Sequence, residues 1–105
     1  MNFKELAQDL GLEEEEYLEL IELFIDTGMS DLDKLQSAIE KGNAEQAANA
    51  AHSLKGAASN LGFMEISETA KEIEEKARNE LLEGITEAAQ ILKKKLEEIA
   101  GLARG

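Results

Sequence analysis

The sequence contains one histidine, His52, whose neighbours have the types and spacing that phosphoryl chemistry requires. A neutral imidazole is a nucleophile near pH 7. Lys55 follows three residues later, and on a helix this spacing brings its ammonium close enough to neutralise a charged group carried on the imidazole. Gly56 lies one turn after His52, where glycine costs about 1 kcal/mol of helix stability relative to alanine and leaves the surface bare. Together these residues suggest phosphoryl acceptance on a ring nitrogen.

The charge pattern around His52 favours an incoming anion. The chain has 23 acidic and 11 basic residues and a formal net charge of −12, yet no Asp or Glu occurs between Glu45 and Glu65. A local clearing of negative charge suits a phosphoryl group, which is itself negatively charged. The overall acidity argues against nucleic acid and anionic membrane surfaces as partners.

Five helical segments are predicted to position these residues, because glycines interrupt stretches whose apolar residues recur at spacings of three and four. They span about residues 2–10, 13–41, 43–61, 64–82 and 85–100. The sequence has no Pro and is rich in Ala, Leu, Glu and Lys, which indicates an all-α protein. Four longer helices with short connections predict an up-down antiparallel four-helix bundle, capped at one end by the short first helix.

The third predicted helix determines which way the candidate side chains point. At 100° per residue, its apolar stripe lies about 140° from His52, about 180° from Gly56 and about 120° from Ser59, so all three are expected to face outward. Ala48 and Asn49, about one turn before His52, are predicted with Gly56 and Ser59 to contact a partner. The residues of the stripe are Ala47, Ala51, Leu54, Ala58 and Leu61.

Residue types that are absent or rare exclude several classes of protein. The chain has no Cys, so no disulfide or thiolate site is expected, and one histidine cannot make a histidine-rich metal centre. No stretch of about 18 apolar residues suggests a membrane span, and no glycine-rich phosphate loop suggests an ATP site. We therefore expect a cytoplasmic protein with no metal site and no intrinsic cofactor. A short bundle with a charged exterior favours a monomer.

Residues 52–63 read HSLKGAASNLGF and fit the pattern H-x-x-K-G-small-small-x-x-L-G-F. This segment resembles the signature of the histidine phosphotransfer (HPt) domains of bacterial phosphorelays, whose fold is a four-helix bundle with an exposed histidine. The resemblance covers essentially the whole chain and implies that residues 1–105 form one HPt-like domain. It implies that His52 is phosphorylated on its ring, that Lys55 lies near the phosphoryl group and that Gly56 leaves room for the partner.

The same resemblance implies a function and partners. Such domains pass the phosphoryl group to or from an aspartate of a response-regulator receiver domain, which supplies Mg²⁺, or accept it from a histidine kinase or hybrid kinase. The chain would then be a phosphoryl carrier and not an autonomous enzyme. Ser59 is expected to line the docking face. Glu74 resembles a glutamate that hydrogen-bonds the histidine and sets its tautomer in the phosphotransfer domains of chemotaxis kinases.

Other interpretations of the sequence stay open at this point. The main alternative is a helical adaptor that binds a receiver or a partner helix without phosphorylation, a function that would survive replacement of His52 by Gln. For Glu74, the alternating charges of its helix also fit an exposed position with no role. The cognate kinase, the cognate receiver and the direction of transfer are left open by the sequence.

Overall fold

The computed structural model describes residues 2–104, which form five α-helices. These are α1 (Phe3–Asp9), α2 (Glu14–Lys41), α3 (Ala44–Asn60), α4 (Met64–Arg78) and α5 (Ile85–Arg104). Residues 2–104 contain no β-strand, so the prediction of an all-helical chain is confirmed for that range. No helix within it is both long enough and apolar enough to cross a membrane.

Short polar signals explain where the first three helices begin and end. The side chains of Asn2 and Asn43 accept hydrogen bonds from the backbone N–H groups of Glu5 and Gln46, which caps the first turns of α1 and α3. Gly42 ends α2 with a φ of 69°, a left-handed conformation that glycine adopts without strain. These local signals are why the predicted bounds of α1, α2 and α3 agree closely with the observed ones.

Two helix ends differ from the predicted ones. α4 ends at Arg78 instead of near residue 82, because the chain turns through Glu80, which has a φ of 59°. α5 continues to Arg104, past the predicted end near residue 100. The Arg104 guanidinium donates to the Glu22 carboxylate of α2, with an Nη2–Oε2 distance of 2.9 Å. The last turn of α5 therefore contacts another helix, although it contains Gly101, a residue that favours a helix end.

The helices pack against their neighbours in chain order around a largely aliphatic core. α3 contacts α2 and α4, α5 also contacts α2 and α4, and α1 contacts α2. Every residue of the predicted α3 stripe is buried, which turns the opposite face of α3 to solvent. Because that stripe is mostly alanine, the neighbouring helices can approach α3 closely.

The core side of α2 includes two aromatic residues. Tyr17 and Phe24 are buried, whereas Leu18 and Ile39 are half-buried. Phe63, at the start of α4, packs against both rings, with centroid separations of 6.4 Å to Tyr17 and 5.4 Å to Phe24. The aromatic cluster closes the core at the end of the molecule where α3 meets α4.

Gly28 marks the close approach of α2 to α5. A Cβ atom built at Gly28 would lie 3.3 Å from both terminal methyl carbons of Leu96 and 3.6 Å from one of Leu54. There is therefore room for a hydrogen atom but little for a side chain, which explains a glycine in the core stripe of a long helix.

We expect Gly28→Leu to lower the free energy of unfolding by about 1–3 kcal/mol, because the added side chain must displace Leu96 in a filled core. Gly101→Leu is the matched control, since a Cβ at this exposed glycine of α5 meets nothing within 4 Å. Urea unfolding followed by circular dichroism measures both variants. Wild-type stability in Gly28→Leu would contradict the close-contact interpretation.

Candidate functional site

His52 lies in the middle of α3 with its side chain 63% exposed. Its neighbours on the other side of the helix, Ala51 and Leu54, are buried against the core. The packing of α3 therefore holds the backbone of His52 in place while leaving its ring accessible to another molecule.

Glu74 of α4 is the residue that meets the histidine ring. The Nδ1 atom of His52 lies 2.9 Å from Oε2 of Glu74. Glu74 follows the buried Ile73 and precedes the buried Ala77 by one turn, so its side chain points towards α3. Its side chain is only 7% exposed, which makes it one of two buried polar residues in the part of the chain that the structure describes, the other being Ser67.

Two cations share the carboxylate of Glu74 with the histidine. The Lys55 ammonium lies 2.7 Å from Oε1, and the Arg78 guanidinium lies 3.1 Å from Oε2 through Nε and 2.7 Å through Nη2. Lys55 comes from α3, on the same helix as His52, whereas Arg78 comes from α4, one turn after Glu74. We call these four side chains, His52, Lys55, Glu74 and Arg78, the carboxylate cluster.

The carboxylate cluster keeps Glu74 ionised. Burial alone raises the pKa of Glu74, but hydrogen bonds from Lys55, Arg78 and His52, together with the Lys55 charge, outweigh it and lower the pKa to about 2. An ionised carboxylate only accepts hydrogen bonds, so the proton of a neutral His52 ring is placed on Nδ1. The lone pair of Nε2 is then free, and it belongs to the nitrogen that Glu74 does not contact.

Lys55 is placed differently from what its spacing alone suggested. Its side chain is 31% exposed, and its ammonium is bonded to Glu74 instead of extending freely beside the ring of His52. The backbone carbonyl of Lys55 also accepts a hydrogen bond from the Ser67 hydroxyl of α4, at 3.3 Å. Lys55 therefore joins α3 to α4 as well as lying near the histidine.

The predicted partner-contact residues divide into two groups. Gly56 is exposed, and a Cβ atom built there meets nothing within 4 Å, so the helix surface one turn after His52 is bare. Asn49 and Ser59 are also exposed. Ala48 is only 2% exposed, so the prediction that it offers contact surface to a partner is wrong. It is buried because it lies on the α4 side of α3, where it lines a cleft together with Ala77.

Residue types and spacing alone did not identify two further contacts. Arg78 has a signal in the sequence, since a residue four positions after Glu74 lies on the same helix face, but this signal is common to many helices. The Ser53 hydroxyl donates to the Asp31 carboxylate of α2 at 2.8 Å, a contact that only the packing of α2 on α3 creates. Within residues 2–104, no group of three or more His, Cys, Asp or Glu side chains is placed to hold a metal ion.

The fold and the site define a class of helical proteins that present one accessible imidazole, with one ring nitrogen tied to a carboxylate and the other open. The family model described as the Hpt domain matches residues 19–101, and the chain therefore belongs to the Hpt domain family. This confirms the resemblance seen in the sequence. No curated protein and no solved structure gave a match. Hpt domains serve phosphotransfer in two-component signalling and interact with kinase and receiver domains.

The depressed pKa of Glu74 makes a prediction about stability and pH. Because the pKa falls from 4.5 to about 2 on folding, the ionised carboxylate stabilises the folded state above about pH 5, and this stabilisation is lost as the pH falls towards 2. The difference in unfolding free energy between wild type and Glu74→Gln should therefore shrink by about 3 kcal/mol between pH 7 and pH 2.

Urea unfolding at a series of pH values measures this difference. Glu75→Gln is the matched control, because it removes an exposed carboxylate from the next position of α4. A pH trend of equal size in Glu75→Gln would contradict its assignment to the carboxylate cluster.

Proposed function

We propose that this chain is a phosphoryl carrier in which Nε2 of His52 accepts a phosphoryl group from the aspartate of a receiver domain and passes it to another receiver. The observation that carries the proposal is the contact between His52 Nδ1 and Glu74 Oε2, because it leaves Nε2 unprotonated and directed away from the carboxylate. Membership of the Hpt domain family supports the same chemistry.

The transfer step requires little of the carrier beyond a positioned nucleophile. The lone pair of His52 Nε2 attacks phosphorus, the N–P bond forms as the bond between phosphorus and the aspartyl oxygen breaks, and the aspartate leaves as a carboxylate. The proton stays on Nδ1, so the ring becomes positively charged. The ionised Glu74 stabilises this charge as it develops. A receiver that binds Mg²⁺ would supply the charge that neutralises the phosphoryl oxygens.

The docking face proposed for the receiver extends from α3 to α2. Gly56 allows the partner backbone to come close to His52, and Leu20 and Leu23 add exposed apolar surface on α2. At 100° per residue, these leucines lie about 20° and about 80° from Asp31 around α2, and Asp31 contacts Ser53 of α3. The leucines are therefore on the side of α2 that borders the exposed face of α3.

We also infer that α2 to α5 form an up-down antiparallel four-helix bundle in one domain. Contacts that join the start of α2 to the ends of two neighbouring helices support this topology. The Tyr17 hydroxyl at the start of α2 donates to the Leu61 carbonyl after α3, and Glu22 of α2 meets Arg104 at the end of α5. Because the carboxylate cluster is complete within one chain, we propose that a monomer is the active form.

We expect the wild-type protein to gain the mass of one phosphoryl group when it is mixed with a phosphorylated receiver domain and Mg²⁺. The gain should be acid-labile, as a phosphoramidate is, and absent in His52→Gln. Intact-protein mass spectrometry measures it, and circular dichroism verifies that the variant is folded. A histidine kinase with ATP serves as a second donor.

The absence of a mass gain from several phosphorylated donors, in a folded wild-type protein, would overturn the proposal. Binding of a receiver that is equally strong in wild type and His52→Gln would then favour the phosphorylation-independent adaptor.

The bare surface at Gly56 predicts a steric effect. Gly56→Leu should fold normally, since a Cβ there meets nothing within 4 Å, but should slow transfer from a receiver at least about tenfold by blocking close approach. Gly101→Leu is the matched control because it also fills open space at an exposed glycine of a helix. Transfer rates are measured by quenched mixing with the phosphorylated receiver. Equal rates for the two variants would contradict docking over Gly56.

A further inference from the structure

The carboxylate cluster assigns its two cations to different oxygens of Glu74. Lys55 binds Oε1, whereas Arg78 binds Oε2, the same oxygen that contacts Nδ1 of His52. We propose that Arg78 is a positioning residue for phosphotransfer, which holds Glu74 against His52 while Lys55 moves from Glu74 to the phosphoryl group. This inference rests on the proposed function and adds a residue and a rearrangement to it.

The contact of Arg78 with Glu74 is suited to a permanent role. Arg78 lies four residues after Glu74 on the same helix, so the pair forms without any contribution from α3. Two nitrogen atoms of its guanidinium, Nε at 3.1 Å and Nη2 at 2.7 Å, point to the single oxygen that faces His52. A guanidinium is planar, permanently charged and rigid in the arrangement of its donors, so it fixes the position of that oxygen.

The contact of Lys55 with Glu74 is suited to exchange. The Lys55 ammonium makes one hydrogen bond, to Oε1 of Glu74. It lies at the end of a flexible side chain that is 31% exposed. Lys55 also lies on α3, three residues after His52, so the phosphorylated ring would be within reach of the same ammonium. The ammonium can therefore leave Oε1 without disturbing the oxygen that contacts the ring.

The net charge around the cluster falls during transfer, which favours this exchange. Before transfer, two cations and one carboxylate leave one net positive charge around a neutral ring. The phosphoryl oxygens carry about two negative charges and the ring gains one positive charge, so the net charge falls by about one. Movement of Lys55 to the phosphoryl oxygens takes its ammonium away from Glu74. Arg78 then remains bonded to the buried carboxylate. Without Arg78, the departure of Lys55 would leave Glu74 with the His52 ring as its one cationic partner in the cluster.

Two readouts separate the roles of the two cations. The first is the tautomer of the His52 ring in the unphosphorylated protein, measured from ¹⁵N chemical shifts at a pH where the ring is neutral. The second is the single-turnover rate of transfer from a phosphorylated receiver. The variants are Arg78→Gln, Arg78→Lys and Lys55→Gln. Lys76→Gln is the matched control, because Lys76 is an exposed cation in the same last turn of α4, about 200° around the helix from Arg78.

The positioning role predicts a distinct result for each variant. Arg78→Gln should lower the population of the tautomer with the proton on Nδ1 and slow transfer about tenfold. Arg78→Lys should recover part of both, since a lysine at this position can make one bond to Oε2. Lys55→Gln should slow transfer but keep the wild-type tautomer. Lys76→Gln should match wild type in both readouts, and urea unfolding verifies that every variant is folded.

Two results would overturn the inference: a wild-type tautomer in Arg78→Gln, or an equal change of tautomer in Lys55→Gln and Arg78→Gln. The tautomer is measured without any phosphoryl donor. A wild-type protein that accepts no phosphoryl group would therefore refute the proposed function, while the ring spectrum would still decide whether Arg78 positions Glu74.

Discussion

The side chain of Glu74 is only 7% exposed, yet its carboxylate remains ionised. The other side chains of the carboxylate cluster are arranged around that charge. A buried carboxylate without partners is strongly destabilising, so its position is acceptable only where enough donors converge on it. Lys55 and Arg78 supply three N–H groups from two helices, and the ring of His52 supplies a fourth. The same contacts that satisfy Glu74 also fix the register of α3 on α4 and the orientation of the histidine ring.

The small side chains of α3 make this convergence possible. Ala47, Ala51 and Ala58 are buried where larger residues would separate α3 from its neighbours. Close approach brings the buried Glu74 within 2.9 Å of a histidine that lies on the exposed face of another helix. The alanine-rich packing of α3 is therefore part of the functional geometry. Leu54 fills the space beneath the helix, and the opposite face needs no apolar residues.

Features that depend on helical periodicity could be predicted from the sequence. The exposure of His52 and Gly56 follows from the phase of the α3 stripe, and capping residues locate the helix starts. Contacts between helices could not be predicted in the same way. The burial of Ala48 depends on which side of α3 carries α4, and the direction of the Lys55 side chain depends on Glu74. Glu74 itself was suggested by a family resemblance, because no spacing within one helix relates it to His52.

The chain carries a net charge of −12, yet the carboxylate cluster that includes His52 holds two cations and one carboxylate. Screening by salt decides which charges of the chain act at His52. At physiological ionic strength the Debye length is about 8 Å, so exposed carboxylates on the far sides of α2 and α5 contribute little at His52. Lys55 and Arg78 both bond to the buried carboxylate that contacts the ring, so their charges lie within this distance of His52. A strongly acidic domain can therefore present one locally positive face although its overall charge is negative.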